Sequence, residues 1–544
     1  MPTSSPVFSK KSGASNIVEL FVVGFLIFLL LVSLILLIRK GGRFLSKGQD
    51  VQTLWSRSFL FQKLIPHLII GLSVSYVIVF FPHMFPKFIG TELVDKEDSL
   101  IDLMMEFESY NIPTMAKNIP RVVLLDIDQT TYEQWGEPMF TPRHKLTNLI
   151  DAAVMAKARL VVVDVLTSGL TDTEKKSPLH PHDQKLHDYL EEHVKQCKEN
   201  QVASCVPIIL VRAFNKADLS EQIREPKKSF LEDVVTPSAP YLQWGSAQFS
   251  FYEDNVWRRW RLWESTCTGD QPEVTPSIAL LVTGMSRGCE GEIQKALHPF
   301  EPNCESKAVS SPSTSISFCG LTINTNDRIQ QRVRYSIPWS YNDDTPMLPH
   351  IVSDNNDIDV LTIFEAYPYA ESPPQAGLES LENKIVVIGG SYLDSKDAGD
   401  IHLTPIGTMP GSLVIINAIY SLLQNQIIRP APIWALLVMM TIFIVITTII
   451  SQVPSHSLLW KVGRWMLVIM LLIASALISY FIFGAYGMWF NIAIPLILIE
   501  LLQIVDKLLE KFIEHKQTVF DILLDKRQAF VQSLSKLTKG RRST

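Results

Sequence analysis

Five stretches of the chain stay apolar over roughly the 20 positions that a helix needs to cross a bilayer. The first, LFVVGFLIFLLLVSLILLI (20–38), ends in Arg39 and Lys40, and the second, 64–84, is interrupted near its start by Pro66 and His67. Three more follow late, at 433–450, 466–483 and about 488–505. Between them, residues 85–430 carry a different pattern, short continuous apolar runs bounded by polar turns: VVLLDI (122–127), LVVVDVL (160–166), VPIILVRAF (206–214) and KIVVIGG (384–390). Runs of that length and continuity fit strands buried on both faces of a parallel sheet. The segment KLTNLIDAAVMAKA (145–158) has apolar residues at 146, 149, 150, 153 and 154, a helical spacing, so the first two runs and this helix form a β-α-β unit with a right-handed crossover. SISF and RVRYSI, in an otherwise irregular 215–380, predict an antiparallel extension.

Charge orients these segments. The loop 39–63 holds Arg39, Lys40, Arg43, Lys47, Arg57 and Lys63 against Asp50 alone, which places it in the cytoplasm. The second span then exports residues 85–430, and the tail 506–544 returns to the cytoplasm with nine Lys/Arg and five Asp/Glu. The expected organisation is a tail (1–16), a helix (17–38), a basic loop (39–63), a helix (64–84), the exported domain (85–430), three helices (431–505) and an amphipathic tail (506–544). The fold class is thus an α/β extracytoplasmic domain, mainly a parallel sheet flanked by helices, plus five transmembrane α-helices. The expected location is the bacterial inner membrane, with the large domain in the periplasm. Composition agrees, since 47% of residues are hydrophobic and the mean hydropathy is +0.17, between a soluble and an all-membrane protein. A net charge of −6 offers no basic footprint for nucleic acid.

All six cysteines, Cys197, Cys205, Cys267, Cys289, Cys304 and Cys319, fall in the segment expected outside, where an even number suggests disulfides. The alternative is six buried or free thiols. Metal binding is not expected in the absence of a CxxC pair, and pairing stays open, although Cys197 with Cys205 would close a short loop.

The run into Asp126, Ile127, Asp128, Gln129 and Thr130 looks like the nucleophile motif of a haloacid-dehalogenase hydrolase, with Asp126 as nucleophile and Asp128 as acid/base. Thr167 could supply a second motif. The run at 384–390, however, ends in Gly389 and Gly390, and Asp394, Asp397 and Asp400 come several residues later than a metal-binding acid should. Other residues point elsewhere. Asp128 is followed by Trp135-Gly136, then FTPR (140–143), a helix and LVVVDVL; AQFSFYEDNVWRRWRLW (247–263) and TPSIALLV (275–282) follow; and the segment from 384 to 423 holds Asp400, Thr404-Pro405, Pro410-Gly411 and Asn417-Ala418. This pattern resembles the type-two CHASE domain, an extracellular sensory domain of bacterial receptor kinases and cyclases, over about 85–505. Ile415 stands where that family often has His, and Lys157-Ala158 where Gly-Ala is common.

Ligands of parallel sheets bind beyond the strands' carboxyl ends, so Asp126, Asp128, Arg143, Asp164 and Asp400 are the candidate ligand-binding residues; each could equally be a turn or cap residue. No catalytic residue, cofactor or metal is expected. The resemblance implies a receptor, and only 39 residues follow Val505, too few for a fused kinase or cyclase. The tail's apolar stripe (Leu509, Phe512, Phe520, Leu523, Phe530, Leu534) suits a partner helix, a coiled coil or the membrane surface. The expected function is a sensor that binds a ligand or envelope protein and signals in trans. Its expected partners are the membrane, a cytoplasmic or envelope protein and a second copy of the chain. The alternatives are a structural subunit of an envelope complex, docking through Trp257, Trp260 and Trp263, and thirdly a periplasmic phosphatase.

Overall fold

A computed structural model describes Ile69 and residues 90–111, 119–169, 179–199, 205–215, 223–251, 254–268, 270–306, 308–309, 315–325, 330–339, 350–352, 357–393, 400–451 and 458–490. The first two expected spans, the basic loop, the cytoplasmic tail, Asp394 and Asp397 lie outside these residues. The chain divides into two compact units. One comprises Asp95–Pro430 with Phe483–Trp489; the other holds Ala431–Ile482 among its described residues.

The first unit is built on a parallel sheet. We label α1 Gly90–Asn111, β1 Val122–Ile127, α2 Arg143–Met155, β2 Leu160–Val163, α3 Pro181–Glu199, β3 Ile208–Arg212, β4 Leu242–Ser246, α4 Ile278–Arg287, β5 Leu361–Glu365, β6 Ile385–Gly390 and α5 Gly411–Leu423. The strand order is β5-β1-β6-β2-β3-β4, every pair parallel. β1, β2 and β3 are buried along their whole length, which is why their sequences run apolar without alternation. Val123, Leu125, Val161, Val163, Val386 and Ile388 pack on Leu146, Leu149 and Ile150 of α2 and Leu186 and Leu190 of α3, forming one core. The alternate residues face α4 and α5, which pack on each other and on β3, β4 and β6.

The four predicted strands and the helix between the first two are present, and two strands are added. β4 (LQWGS) and β5 (LTIFE) lack a long apolar run, because both sit at sheet edges. Of the antiparallel pieces, SISF pairs with Leu321–Asn324. RVRYSI instead runs beside Trp257–Trp260 through two backbone bonds, Trp260 N to Gln331 O and Val333 N to Arg258 O, without forming a regular strand. Lys157 takes a left-handed φ of 54°, the conformation that a glycine at this place in the family pattern adopts freely.

All six cysteines are paired: Cys197–Cys205, Cys267–Cys304 and Cys289–Cys319. The last two bridge separations of 37 and 30 residues and interleave in sequence. They tie the strand Trp263–Thr268 to the turn at Cys304, and the start of the helix Glu290–Leu297 to the turn of the Ser315–Asn324 hairpin. Cys267→Ser is expected to cost about 2–4 kcal/mol, read as a lower unfolding midpoint of the oxidised protein, with no shift between variant and wild type once both are reduced.

The second unit contains two apolar helices, α6 Ile433–Ser451 and α7 Leu458–Tyr486, the last residues of α7 belonging to the first unit. Among the described residues one helix segment, Met466–Tyr486, is long and apolar enough to cross a membrane. Met488 and Trp489, where the last span was expected to begin, instead pair in parallel with Arg429 and Pro430 and belong to the sheet unit.

Candidate functional site

β1 and β2 lead to α2 and α3 on one face, whereas β6, lying between them, leads to α5 on the other. Such a switch opens a crevice at the carboxyl ends of the strands. Asp126 is the penultimate residue of β1, opposite Gly389 of β6. It is 4% exposed; its Oδ2 accepts a hydrogen bond from Ser391 Oγ at 2.6 Å, while Oδ1 is buried with no hydrogen-bond partner. Burial pushes its carboxyl up to about 7, with the nearby Asp128 charge adding and Ser391 opposing. Asp164 continues β2, its N–H donating to Ile388 O at 2.8 Å. Desolvation and then the charge of Asp400 raise its carboxyl in the same direction.

Two glycines make room for this arrangement. A Cβ on Gly389 would stand 2.6 Å from Ser412 Cβ and 3.5 Å from Asp164 Cβ, and one on Gly411 would collide with the Asp400 carboxylate. Asp400 therefore lies against the first turn of α5, where its carbonyl also accepts from Gly411 N–H at 2.8 Å. Its Oδ1 is 2.7 Å from His402 Nε2, and the His402 ring stacks on Trp257 at 3.6 Å. Ser412 Oγ, on the same turn, is buried without a hydrogen-bond partner. The loops around this end expose Met139 (87%), Phe140, Leu166 and Leu393.

Asp126, Asp164 and Asp400 are thus brought together at the switch point. Asp128 is engaged elsewhere: it caps the helix Gln129–Gln134 by accepting from Thr131 N–H at 2.8 Å. Arg143, buried at the start of α2, donates to the carbonyls of Leu166 and Gly169 and lies 3.8 Å from Asp183, so it braces the loop after β2. Asn417 is also structural. Its Oδ1 accepts from Ser336 and Ile337 N–H, and its amide donates to Ile337 and Leu413 carbonyls. Ile415, in place of the family's histidine, is buried. The tryptophans do not form an exposed patch, since Trp260 is 4% exposed, Trp257 stacks on Phe249 and His402, and Trp263 packs on Phe300.

A second polar cluster escaped the sequence reading. Asp98 Oδ1 and Oδ2 both accept from Arg259 Nη2 at 2.8 and 2.7 Å, and Asp98 Oδ1 also from Arg332 Nη1 at 2.7 Å. One turn on, Asp102 pairs with Arg332 and with Arg258 Nε at 2.8 Å, and Glu108 with Arg334. Arg334 in addition donates to Gly484 O and faces the Phe483 ring, and Glu97 accepts from Trp489 Nε1 at 3.0 Å. One face of α1 is therefore fastened by ion pairs to the strand WRRW and to RVRYSI, and by the Glu97–Trp489 hydrogen bond to Phe483–Trp489. Asp98, Arg259 and Arg332 are all at most 3% exposed. Burial raises the Asp102 carboxyl even with two guanidinium partners, so desolvation outweighs their attraction. The available signal was the i, i+4 spacing of Asp98 and Asp102 opposite arginines set among apolar residues.

Residues 76–453 match the family model of the CHASE2 domain. No curated protein and no solved structure matches the chain. The matched span opens before β1 and closes beyond α5, so it contains the acids at the strand ends, the WRRW strand and the buried asparagine of α5. Covering well over half of the chain, that match makes the protein a member of the CHASE2 family of extracellular sensory domains.

Proposed function

We propose that the protein is a membrane receptor that binds a ligand at the crevice beside Asp126, Asp164 and Ser412 and signals in trans to a separate protein. The observation that carries this reading is a set of buried acceptors without donors: Asp126 Oδ1 and Ser412 Oγ lack hydrogen-bond partners at the switch point of the sheet. Leaving such groups unmatched is costly, and a ligand with N–H or O–H donors would satisfy them. The exposed apolar side chains nearby suit the hydrophobic part of the same ligand. Five spans, a periplasmic sensor domain and a cytoplasmic tail complete the proposed architecture, with α1 and Phe483–Trp489 carrying the bound state toward the membrane segments that adjoin them in sequence.

The reading is non-enzymatic. Asp128, the acid/base of a phosphatase reading, is occupied as a helix cap, and burial pushes the Asp126 carboxyl up to about 7, which disfavours the ionised form that a nucleophile needs. The apolar rim favours, as a second reading, docking of an envelope protein at the same edge.

Full-length protein in mild detergent, titrated with a panel of amino acids and small amines, is expected to gain thermal stability with at least one class. The gain should vanish in Asp164→Leu. If no compound raises the midpoint, and exported proteins co-purify in stoichiometric amount, docking replaces the small-ligand reading.

A further inference from the structure

Among the described residues, two groups of three side chains bring ligating atoms within 4.8 Å of one another. One, His193 with Cys197 and Cys205, is closed to an ion because both sulfurs are joined in a disulfide. The other stands on α3, where His187 and Glu191 lie one helical turn apart on the same side and Asp188 follows His187 directly. Asp233 reaches the same imidazole from the short helix Glu232–Val235, which packs on α3. Its Oδ2 accepts from His187 Nε2 at 3.1 Å. A carboxylate can only accept, so Nε2 holds the proton and the neutral ring keeps its lone pair on Nδ1. That nitrogen is buried, has no hydrogen-bond partner and stands 3.5 Å from Asp188 Oδ1. Two electron-rich atoms thus face each other with no donor between them, and Glu191 adds a third within reach.

We infer that His187 Nδ1, Asp188 and Glu191 form a binding site for a divalent transition-metal ion, Zn2+ foremost. Two ligand atoms that each lie about 2.1 Å from a tetrahedral ion are about 3.4 Å apart, so His187 and Asp188 already stand at the spacing of a ligand pair. Asp188 and Glu191 are exposed, and the free torsions of the longer Glu191 side chain bring its carboxylate onto the ion without moving the helix. Water completes the coordination. An imidazole among the ligands selects Zn2+ over Ca2+ and Mg2+, which require oxygen. Asp233 and Gln184 are the orienting partners. Asp233 holds the imidazole in the ligating tautomer, and Gln184 Nε2 donates to Asp188 Oδ1 at 2.6 Å. Among the described residues no lysine or arginine pairs with Asp188, Glu191 or Asp233, so the charge around the site attracts a cation.

Occupancy ties two elements together. The ion fixes His187 on α3, and His187 holds Asp233 on the short helix. The first residue of that helix, Glu232, accepts from Arg212 Nη1 at the end of β3 through both carboxylate oxygens, at 2.6 and 2.7 Å. Zinc therefore stabilises the connection between β3 and α3. None of these residues belongs to the acid crevice, so the site does not depend on the receptor reading.

The test is calorimetric titration of Zn2+ into untagged, full-length, chelator-treated protein in mild detergent. About one ion per chain should bind, weakened at least about tenfold in His187→Ala and in Asp233→Asn. Zn2+ should raise the unfolding midpoint of the wild type and leave that of His187→Ala where it was. The Co2+ form should show visible ligand-field bands that the His187→Ala/Glu191→Gln double variant loses. Glu191→Gln, at an exposed position, serves alone if His187→Ala does not fold. His182→Ala is the control, on the same helix and outside the cluster. Zinc binding that survives undiminished in the double variant, or a loss confined to His182→Ala, overturns the site. An absence of zinc binding overturns it too, and would mean that His187 is held as an imidazolium between Asp188 and Asp233.

Discussion

Asp98→Ala is expected to destabilise the sheet unit by about 3–5 kcal/mol, the usual cost of removing one member of a buried ion pair. The variant leaves Arg259 and Arg332 facing each other in a site where both are at most 2% exposed and where Asp98 accepted three hydrogen bonds. Neither guanidinium can lose its proton to relieve the conflict. In full-length protein the unfolding midpoint should fall by on the order of 5–10 °C, and α1 should become the first segment cut by protease. Asp102→Ala should cost less, because Asp102 is 16% exposed and water can reach the arginines it leaves. A loss below about 1 kcal/mol for Asp98→Ala would show that α1 is not held by these charges. The functional weight of the result is that α1 follows the proposed second span in the chain. A helix fastened by directional ion pairs to two other segments moves with them as a unit, as signal transfer requires.

Why the crevice was legible in the sequence and the ion network was not comes down to distance along the chain. Asp126, Asp164 and Gly389 sit at the ends of apolar runs, so locating the strands placed these residues together at one end of the sheet. The network joins Asp98 to Arg259 and Arg332 over separations of 161 and 234 residues, and no local period encodes those partners. β4 and β5 were missed for a local reason, since LQWGS and LTIFE mix polar and apolar residues over short runs. Asp128 and Arg143 were candidate ligand-binding residues, each with a turn or cap role as the alternative, and the local sequence does not separate such a contact from the helix cap and loop brace that they form. The six cysteines were read from number and compartment alone; the interleaved Cys267–Cys304 and Cys289–Cys319 pairing needed the fold.

Asp126→Asn should change the pH dependence of stability more than stability at any one pH. The folded carboxyl titrates at about 7 against an ordinary value of 3.8. Between those values the native state keeps a proton that the unfolded chain has lost, so wild-type stability falls as pH rises and levels off above the folded value. The shift is worth about 4 kcal/mol. Asparagine mimics the protonated acid and cannot titrate. The stability of Asp126→Asn relative to wild type should therefore swing by about 4 kcal/mol in favour of the variant between pH 4 and pH 8. Asp164, raised in the same direction, remains in both proteins and largely cancels. Denaturant unfolding of full-length protein at the two pH values measures the swing, and a difference that stays constant with pH would mean that Asp126 is ionised throughout. The same arithmetic states what the crevice offers a ligand. Ionising Asp126 costs the empty protein several kcal/mol, so a bound cationic or strongly donating group that stabilises the carboxylate relieves that cost only while it is bound. On the proposed receptor reading, occupancy is coupled to the electrostatics of the sheet ends, and saturating ligand should flatten the wild-type pH dependence toward that of the variant.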